Sequence, residues 1–69
     1  VERREEVHRL LTQLPELQAD ALRLRFFGGL QFSEIALAMD SSLGAAKQRV
    51  KNGLLTLAEY VRQNGGDFP

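Results

Sequence analysis

Long hydrogen-bonding side chains are concentrated between residues 47 and 52, in the run Lys-Gln-Arg-Val-Lys-Asn. Lys and Arg bind phosphate oxygens, and Gln, Asn and Arg carry donor and acceptor groups that match the edges of bases. Within residues 41–58, three cations (Lys47, Arg49 and Lys51) occur without an acidic residue. The segment therefore predicts a nucleic-acid contact surface, although the same side chains are also typical of a solvated helix face.

The charge of the whole chain at first argues against that interpretation. Nine Lys and Arg residues balance nine Asp and Glu residues, whereas DNA-binding domains are usually basic. The distribution is uneven, since residues 14–40 carry two cations and four acids while residues 41–69 carry four cations and two acids. We therefore expect weak binding by this chain alone, with a larger assembly supplying most of the affinity.

Enzymatic, disulfide and metal chemistry is not indicated by the composition. The chain has 69 residues, no Cys and one His, so neither a disulfide scaffold nor a thiolate or multi-histidine metal site is expected. It contains no Ser-His-Asp set or phosphate loop, and no apolar run reaches about 18 residues. We predict one small domain over residues 1–69, a fragment of a longer chain, with no enzymatic activity, cofactor, small-molecule ligand or membrane span.

Hydrophobic spacing predicts that four helices position the segment, in an all-α fold without strands. The helices are expected over residues 2–13, 15–27, 32–39 and 43–63. Pro15 suits a first helical turn, Gly28-Gly29 ends the second helix, and Asp40-Ser41-Ser42 forms a turn with Ser42 as the N-cap of the fourth. The expected core spans residues 10–62, and residues 64–69 are expected to be a frayed tail.

Each helix is expected to bury one apolar face. For the second helix this face is Leu17, Ala21 and Leu24, with Leu22 and Phe27 beside it; for the fourth it is Leu43, Ala46, Val50, Leu54, Leu57 and Val61. Because Phe26 and Phe27 are adjacent, only one of them reaches the core. We expect the other, Phe26, to contact a protein partner, as does Leu55, which lies off the buried face of the fourth helix.

The third and fourth helices, joined by three turn residues, have the arrangement of a helix-turn-helix, whose second helix reads DNA. Small residues at Gly44 and Ala45 would let the start of that helix approach the floor of a groove. The predicted DNA-binding residues are Ser42, Gly44, Ala45, Lys47, Gln48, Arg49, Lys51, Asn52 and, from the second helix, Arg25.

From Leu10 to Leu57 the chain resembles the C-terminal domain, region four, of bacterial sigma factors, most closely the extracytoplasmic-function group. The resemblance rests on Leu14-Pro15, Leu-Arg-Leu-Arg-Phe-Phe-Gly-Gly-Leu at 22–30, Phe-Ser-Glu-Ile-Ala at 32–36 with Met39, Leu-Gly-Ala-Ala-Lys-Gln-Arg-Val at 43–50, Leu54 and Leu57. Asp40, Ser41, Ala45 and Ala46 stand where that family usually has Gly, Ile, Thr and Val. We therefore expect a smaller, more polar core under the turn, and a marginal or partner-stabilised domain.

The resemblance implies a cytoplasmic module that recognises the −35 element of double-stranded promoter DNA in transcription initiation, docked on the β-subunit flap of RNA polymerase. Residues nearest the bases would be Gly44, Ala45, Gln48 and Arg49, and phosphates would be held by Lys47 and Lys51, with Arg25 or Arg23. For Arg25, an ion pair with Glu34 is an open alternative. The alternatives for function are a protein-interaction module bound by an anti-sigma factor or other regulator, and a LuxR-type helix-turn-helix regulator.

Overall fold

Four α-helices follow one another along residues 2–63, the part of the chain that the computed structural model describes, with side chains from residue 5 onward. They are α1 (Glu2–Leu11), α2 (Glu16–Leu22), α3 (Phe32–Ala38) and α4 (Leu43–Gln63), and a π-helical turn (Arg23–Phe27) continues α2. The predicted all-α fold is confirmed, and α4 has the predicted bounds. The predicted tail at 64–69 lies outside the described residues. None of the helices in residues 2–63 is both long and apolar enough to cross a bilayer.

The second helical segment ends in a π turn that the sequence did not predict. The N–H of Gly28 donates to the carbonyl of Arg23, five residues earlier, at 3.0 Å, which is the hydrogen bond of a π turn. Gly29 then adopts φ +69°, a left-handed conformation that favours glycine. The N–H of Leu30 donates to the carbonyl of Leu24 at 3.0 Å, so the chain folds back over the helix end before α3 begins.

The core between the helices is built largely from small residues. Its buried side chains are Leu11, Leu14, Ala19, Ala21, Leu22, Ile35, Ala36, Ala46 and Val50. Gly53 is buried as well, and a Cβ at this position would lie 2.9 Å from Cδ1 of Leu22. The backbones of α2 and α4 therefore approach closely at Gly53, and α4 packs against both α2 and α3.

Three leucines predicted to be buried are exposed, namely Leu17, Leu43 and Leu54. Leu17 stands two residues before Ala19, which is buried, and therefore points to the opposite side of α2. Leu54 directly follows the buried Gly53 and is rotated by about 100° from it. Leu43 stands in the first turn of α4, where the neighbouring helices leave it exposed. Periodicity predicts the face that a helix buries but not how far along the helix its neighbours extend.

The connection between α3 and α4 forms the predicted helix-turn-helix. Asp40 adopts φ +53°, a conformation that Asp tolerates better than most residues other than glycine. The N–H of Ser41 donates to the carbonyl of Ala36 at 2.8 Å. The hydroxyl oxygen of Ser42 accepts from the N–H of Ala45 at 3.1 Å, so Ser42 is the N-cap of α4, as predicted.

Candidate nucleic-acid interface

The first half of α4 presents one face to solvent. Ala46, Val50 and Gly53 are buried and fix the rotation of the helix. Gly44, Gln48 and Lys51 are exposed. Counting about 100° per residue from Ala46, all three lie within about 40° of the direction opposite to the core. We call these three residues the outward face.

The two predicted phosphate-binding lysines lie on one flank of α4. Lys47 and Lys51 are exposed and one helical turn apart. Neither forms an ion pair with a described acidic residue. At the start of the helix, the Ser42 cap leaves the positive end of the helix dipole exposed to solvent, where an anion is favoured.

The other flank of α4 faces the start of α2 and forms a cleft with it. The cleft is lined by Pro15, Glu16, Leu17, Gln18, Ala45, Gln48, Arg49 and Asn52. Arg49 is half-buried here, and its Nη1 atom is buried without a hydrogen-bond partner among residues 2–63. Arg49 therefore lies beside the outward face and is more buried than Gln48, which is exposed.

A polar contact that the sequence analysis missed joins α2 to α4 next to this cleft. The hydroxyl oxygen of Thr56 lies 3.1 Å from Oε1 of Gln18 and 2.9 Å from the backbone carbonyl oxygen of Asn52. Threonine bonded to a carbonyl one turn earlier is a recurrent helical pattern, but nothing in the sequence indicates Gln18 as its second neighbour.

Two predicted binding residues form a hydrogen bond with each other. Nε2 of Gln48 donates to Oδ1 of Asn52 at 2.9 Å, an i, i+4 contact across one turn of α4. Gln48 is exposed and Asn52 is half-buried. Both residues line the cleft, and Gln48 also belongs to the outward face.

Arg25 and Arg23 lie on the π turn and both have partners. Nη1 of Arg25 donates to the carbonyl of Leu30 at 2.9 Å, and its guanidinium lies 4.6 Å from the centre of the Phe32 ring. Arg25 does not pair with Glu34, whose carboxylate accepts from the N–H of Gln31 at 2.7 Å. The alternative of an ion pair between Arg25 and Glu34 is therefore wrong.

Arg23, the other candidate for a phosphate contact on this turn, pairs with Asp20 at 3.2 Å. A phosphate contact by either arginine would have to be made alongside these interactions, and it stays a prediction.

The predicted partner-binding residues, Phe26 and Leu55, are both exposed but do not share a surface. Phe26 is 59% exposed and lines an apolar groove with Val7, Leu11, Leu22, Phe27, Leu54 and Leu57. Leu55 is 60% exposed and is not among the groove residues. It lies seven residues after Gln48, two turns further along the outward side of α4.

Phe27, the neighbour of Phe26, reaches the core as predicted. Phe27 is half-buried and packs against the core, and its ring stacks on the imidazole of His8 with 4.4 Å between the ring centres. Only one of the two adjacent rings therefore reaches the core. Leu54, predicted to be core, instead forms part of the wall of the groove.

No group of three or more His, Cys, Asp or Glu side chains within residues 5–63 is close enough to hold a metal ion. The arrangement offers two exposed lysines, two hydrogen-bonded amide side chains and an apolar groove.

Comparison with known proteins identifies a family for most of the chain. The family described as sigma-70, region 4, matches residues 4–57, a range that includes most of α1, all of α2 and α3, and about the first two-thirds of α4. No curated protein and no solved structure gives a significant match.

Proposed function

The chain belongs to the sigma-70 region 4 family, and we propose that it reads the −35 promoter element through the outward face of α4, as part of an extracytoplasmic-function sigma factor. The family is a promoter-binding transcription module that works with RNA polymerase, and it is not an enzyme family. The observation that carries the finer proposal is the position of Gly44, Gln48 and Lys51, exposed on the second helix of a helix-turn-helix. Membership in this family favours a sigma factor over the LuxR-type alternative.

In the proposed complex, α4 enters the major groove with its first two turns. Gly44 allows the helix to approach the base edges, and Gln48 follows one turn later on the same side. Lys47 and Lys51 extend toward the phosphates of one strand, while Arg49 lies on the flank nearer the other strand. No acidic side chain of residues 41–58 opposes this approach.

The proposal is tested by removing two cations from the proposed interface and, as a control, two from elsewhere. In the variant Lys47→Ala with Lys51→Ala, we expect the slope of log affinity against log salt to fall by about two, because each lost phosphate contact lowers it by roughly 0.9. The DNA is a duplex selected by the unaltered protein from a random pool, and the measurement is fluorescence anisotropy at several salt concentrations.

The matched control is the variant Arg9→Ala with Arg62→Ala. These side chains are 72% and 75% exposed and pair with Glu6 and Glu59, so the same charge is lost away from the outward face. An equal effect of both double variants on the salt slope would mean that net charge, and not this face of α4, governs binding.

A second role, protein docking, is favoured by the apolar groove. Phe26 and Leu54 are exposed at its edges, and the groove is lined by apolar residues. We infer that this groove receives an apolar segment of a partner, either the β-subunit flap of RNA polymerase or an anti-sigma factor.

The docking role predicts a selective effect of Phe26→Ala. Loss of a ring buried on binding typically costs about 2–4 kcal/mol at an interface anchor, so affinity for core RNA polymerase should fall by at least about tenfold while the DNA salt slope is unchanged. Surface plasmon resonance measures the first and anisotropy the second. Leu37→Ala, on a residue 84% exposed in α3, is the control. Equal loss for both variants, with folding verified by circular dichroism, would argue against the groove.

A further inference from the structure

The side-chain amide of Gln48 is held in place by a neighbour on the same helix. Its Nε2 donates to Oδ1 of Asn52 at 2.9 Å. Gln48 is exposed on the outward face at the edge of the cleft beside α2, and Asn52 is half-buried in the same cleft. The half-buried partner restricts the rotation of the exposed one, so the free end of Gln48 has a preferred direction before any DNA is bound.

The remaining hydrogen-bonding capacity of Gln48 can be counted. A glutamine amide has two N–H donors and one carbonyl oxygen with two lone pairs. Asn52 takes one N–H, which leaves one N–H and the oxygen Oε1 adjacent to each other. The free end of Gln48 is therefore one donor beside one acceptor.

That pair of groups distinguishes the two purines. In the major groove adenine presents the acceptor N7 beside the donor N6, whereas guanine presents two acceptors, N7 and O6. We propose, on the basis of the function proposed above, that Gln48 recognises an adenine in the promoter element and that Asn52 is the positioning residue that selects this orientation of the amide. The N–H donates to N7, and Oε1 accepts from N6.

The opposite orientation makes a different prediction. If Nδ2 of Asn52 donated to Oε1 of Gln48, the free end would keep both N–H donors and one lone pair of Oε1, so it could donate to both acceptors of guanine as well as match adenine. The observed direction uses one N–H and leaves one donor beside one acceptor, so a Gln48-dependent preference for guanine would mean that the opposite orientation is adopted.

The test is selection of DNA sites from a random duplex pool by the full protein, followed by sequencing. The unaltered protein should require adenine at one position, and Gln48→Ala should reduce that preference by about tenfold or more while preferences at other positions persist. Asn52→Ala should weaken the same preference. Asn52→Asp should keep it at lower overall affinity, because a carboxylate only accepts and so maintains the donated N–H of Gln48.

Lys51→Ala separates failure of this inference from failure of the proposed function. It should lower affinity for all sequences alike, because phosphate contacts carry no base information. If Lys51→Ala and Gln48→Ala both leave DNA binding unchanged, the proposed function is wrong. If Lys51→Ala weakens binding but Gln48→Ala changes no base preference, or the Gln48-dependent base is guanine, the adenine assignment is overturned. Retention of the adenine preference by Asn52→Ala would overturn the positioning role.

Discussion

Gly44 and Gly53 stand in the same helix but have opposite surroundings. A Cβ at Gly44 would meet nothing within 4 Å, whereas a Cβ at Gly53 would lie 2.9 Å from Leu22 and 3.4 Å from the carbonyl oxygen of Gln18. The first glycine therefore leaves space outside the molecule, and the second allows close packing inside it. A glycine within a helix usually has a packing or a functional reason, but the sequence alone does not show which of the two applies.

The difference predicts that Gly44→Ala stabilises the free domain and weakens DNA binding. Alanine improves helix propensity by up to about 1 kcal/mol, and the free energy of unfolding should rise by a fraction of that. The added methyl group faces the proposed groove floor, so affinity for the selected duplex should fall several-fold. Urea unfolding and anisotropy measure the two effects.

Gly53→Ala is the control, because the same substitution in the same helix should lower the free energy of unfolding by about 1–3 kcal/mol through overpacking against Leu22. Unchanged DNA affinity in Gly44→Ala would mean that the start of α4 does not approach the bases closely.

Among the elements, helix ends were predicted better than helix faces. Ser42, Pro15 and Gly28-Gly29 are local signals, and the helices begin or end beside each of them. The buried face of each helix depends on which neighbouring helix covers it, and here the unpredicted contacts use Ala19 and Gly53. Small residues carry little weight in a hydrophobic pattern, so the exposed leucines were misassigned.

The same limit applies to the candidate site. The resemblance implies that Gln48 and Arg49 both lie nearest the bases, but the partial burial of Arg49 is not visible in the sequence. Gln48 lies on the outward face, while Nη1 of Arg49 is buried beside α2. The rotation of α4 is fixed by Ala46, Val50 and Gly53, and the close approach at Gly53 has no local sequence signal.

The bend between α2 and α3 supplies a prediction for Arg25. Its hydrogen bond to Leu30 and its position over Phe32 join the two sides of the bend. Arg25→Ala should therefore lower the free energy of unfolding by about 1–2 kcal/mol, combining one hydrogen bond with a cation–π contact. Urea unfolding gives the stability, and the DNA salt slope shows whether Arg25 also contacts a phosphate.

Arg23→Ala, which removes the pair with Asp20, should cost less than about 1 kcal/mol and serves as the reference. A reduced salt slope in Arg25→Ala, with little change in stability, would instead support a phosphate contact by this residue.

For the whole molecule, the balance of nine cations and nine acids conceals a separation of charge. All the charged side chains of residues 41–58 are cationic, whereas seven of the nine acidic side chains lie within residues 1–40. Several apolar side chains are exposed as well, among them Phe26 and Leu54 at the groove and Leu37 on α3. Such a surface suits a domain that works in contact with DNA and a protein partner at once.

The exposure of Leu37 has a consequence for the free chain in solution. With a formal net charge of zero at pH 7, individual molecules do not repel one another, and exposed apolar side chains favour association. Leu37→Lys should therefore reduce concentration-dependent self-association by about tenfold, given the roughly 1.5–3 kcal/mol for burying a leucine side chain. Static light scattering against concentration measures this, and Leu37→Gln separates loss of apolar surface from added charge. Purified without its DNA and its partner, the domain would then lose solubility as its concentration rises.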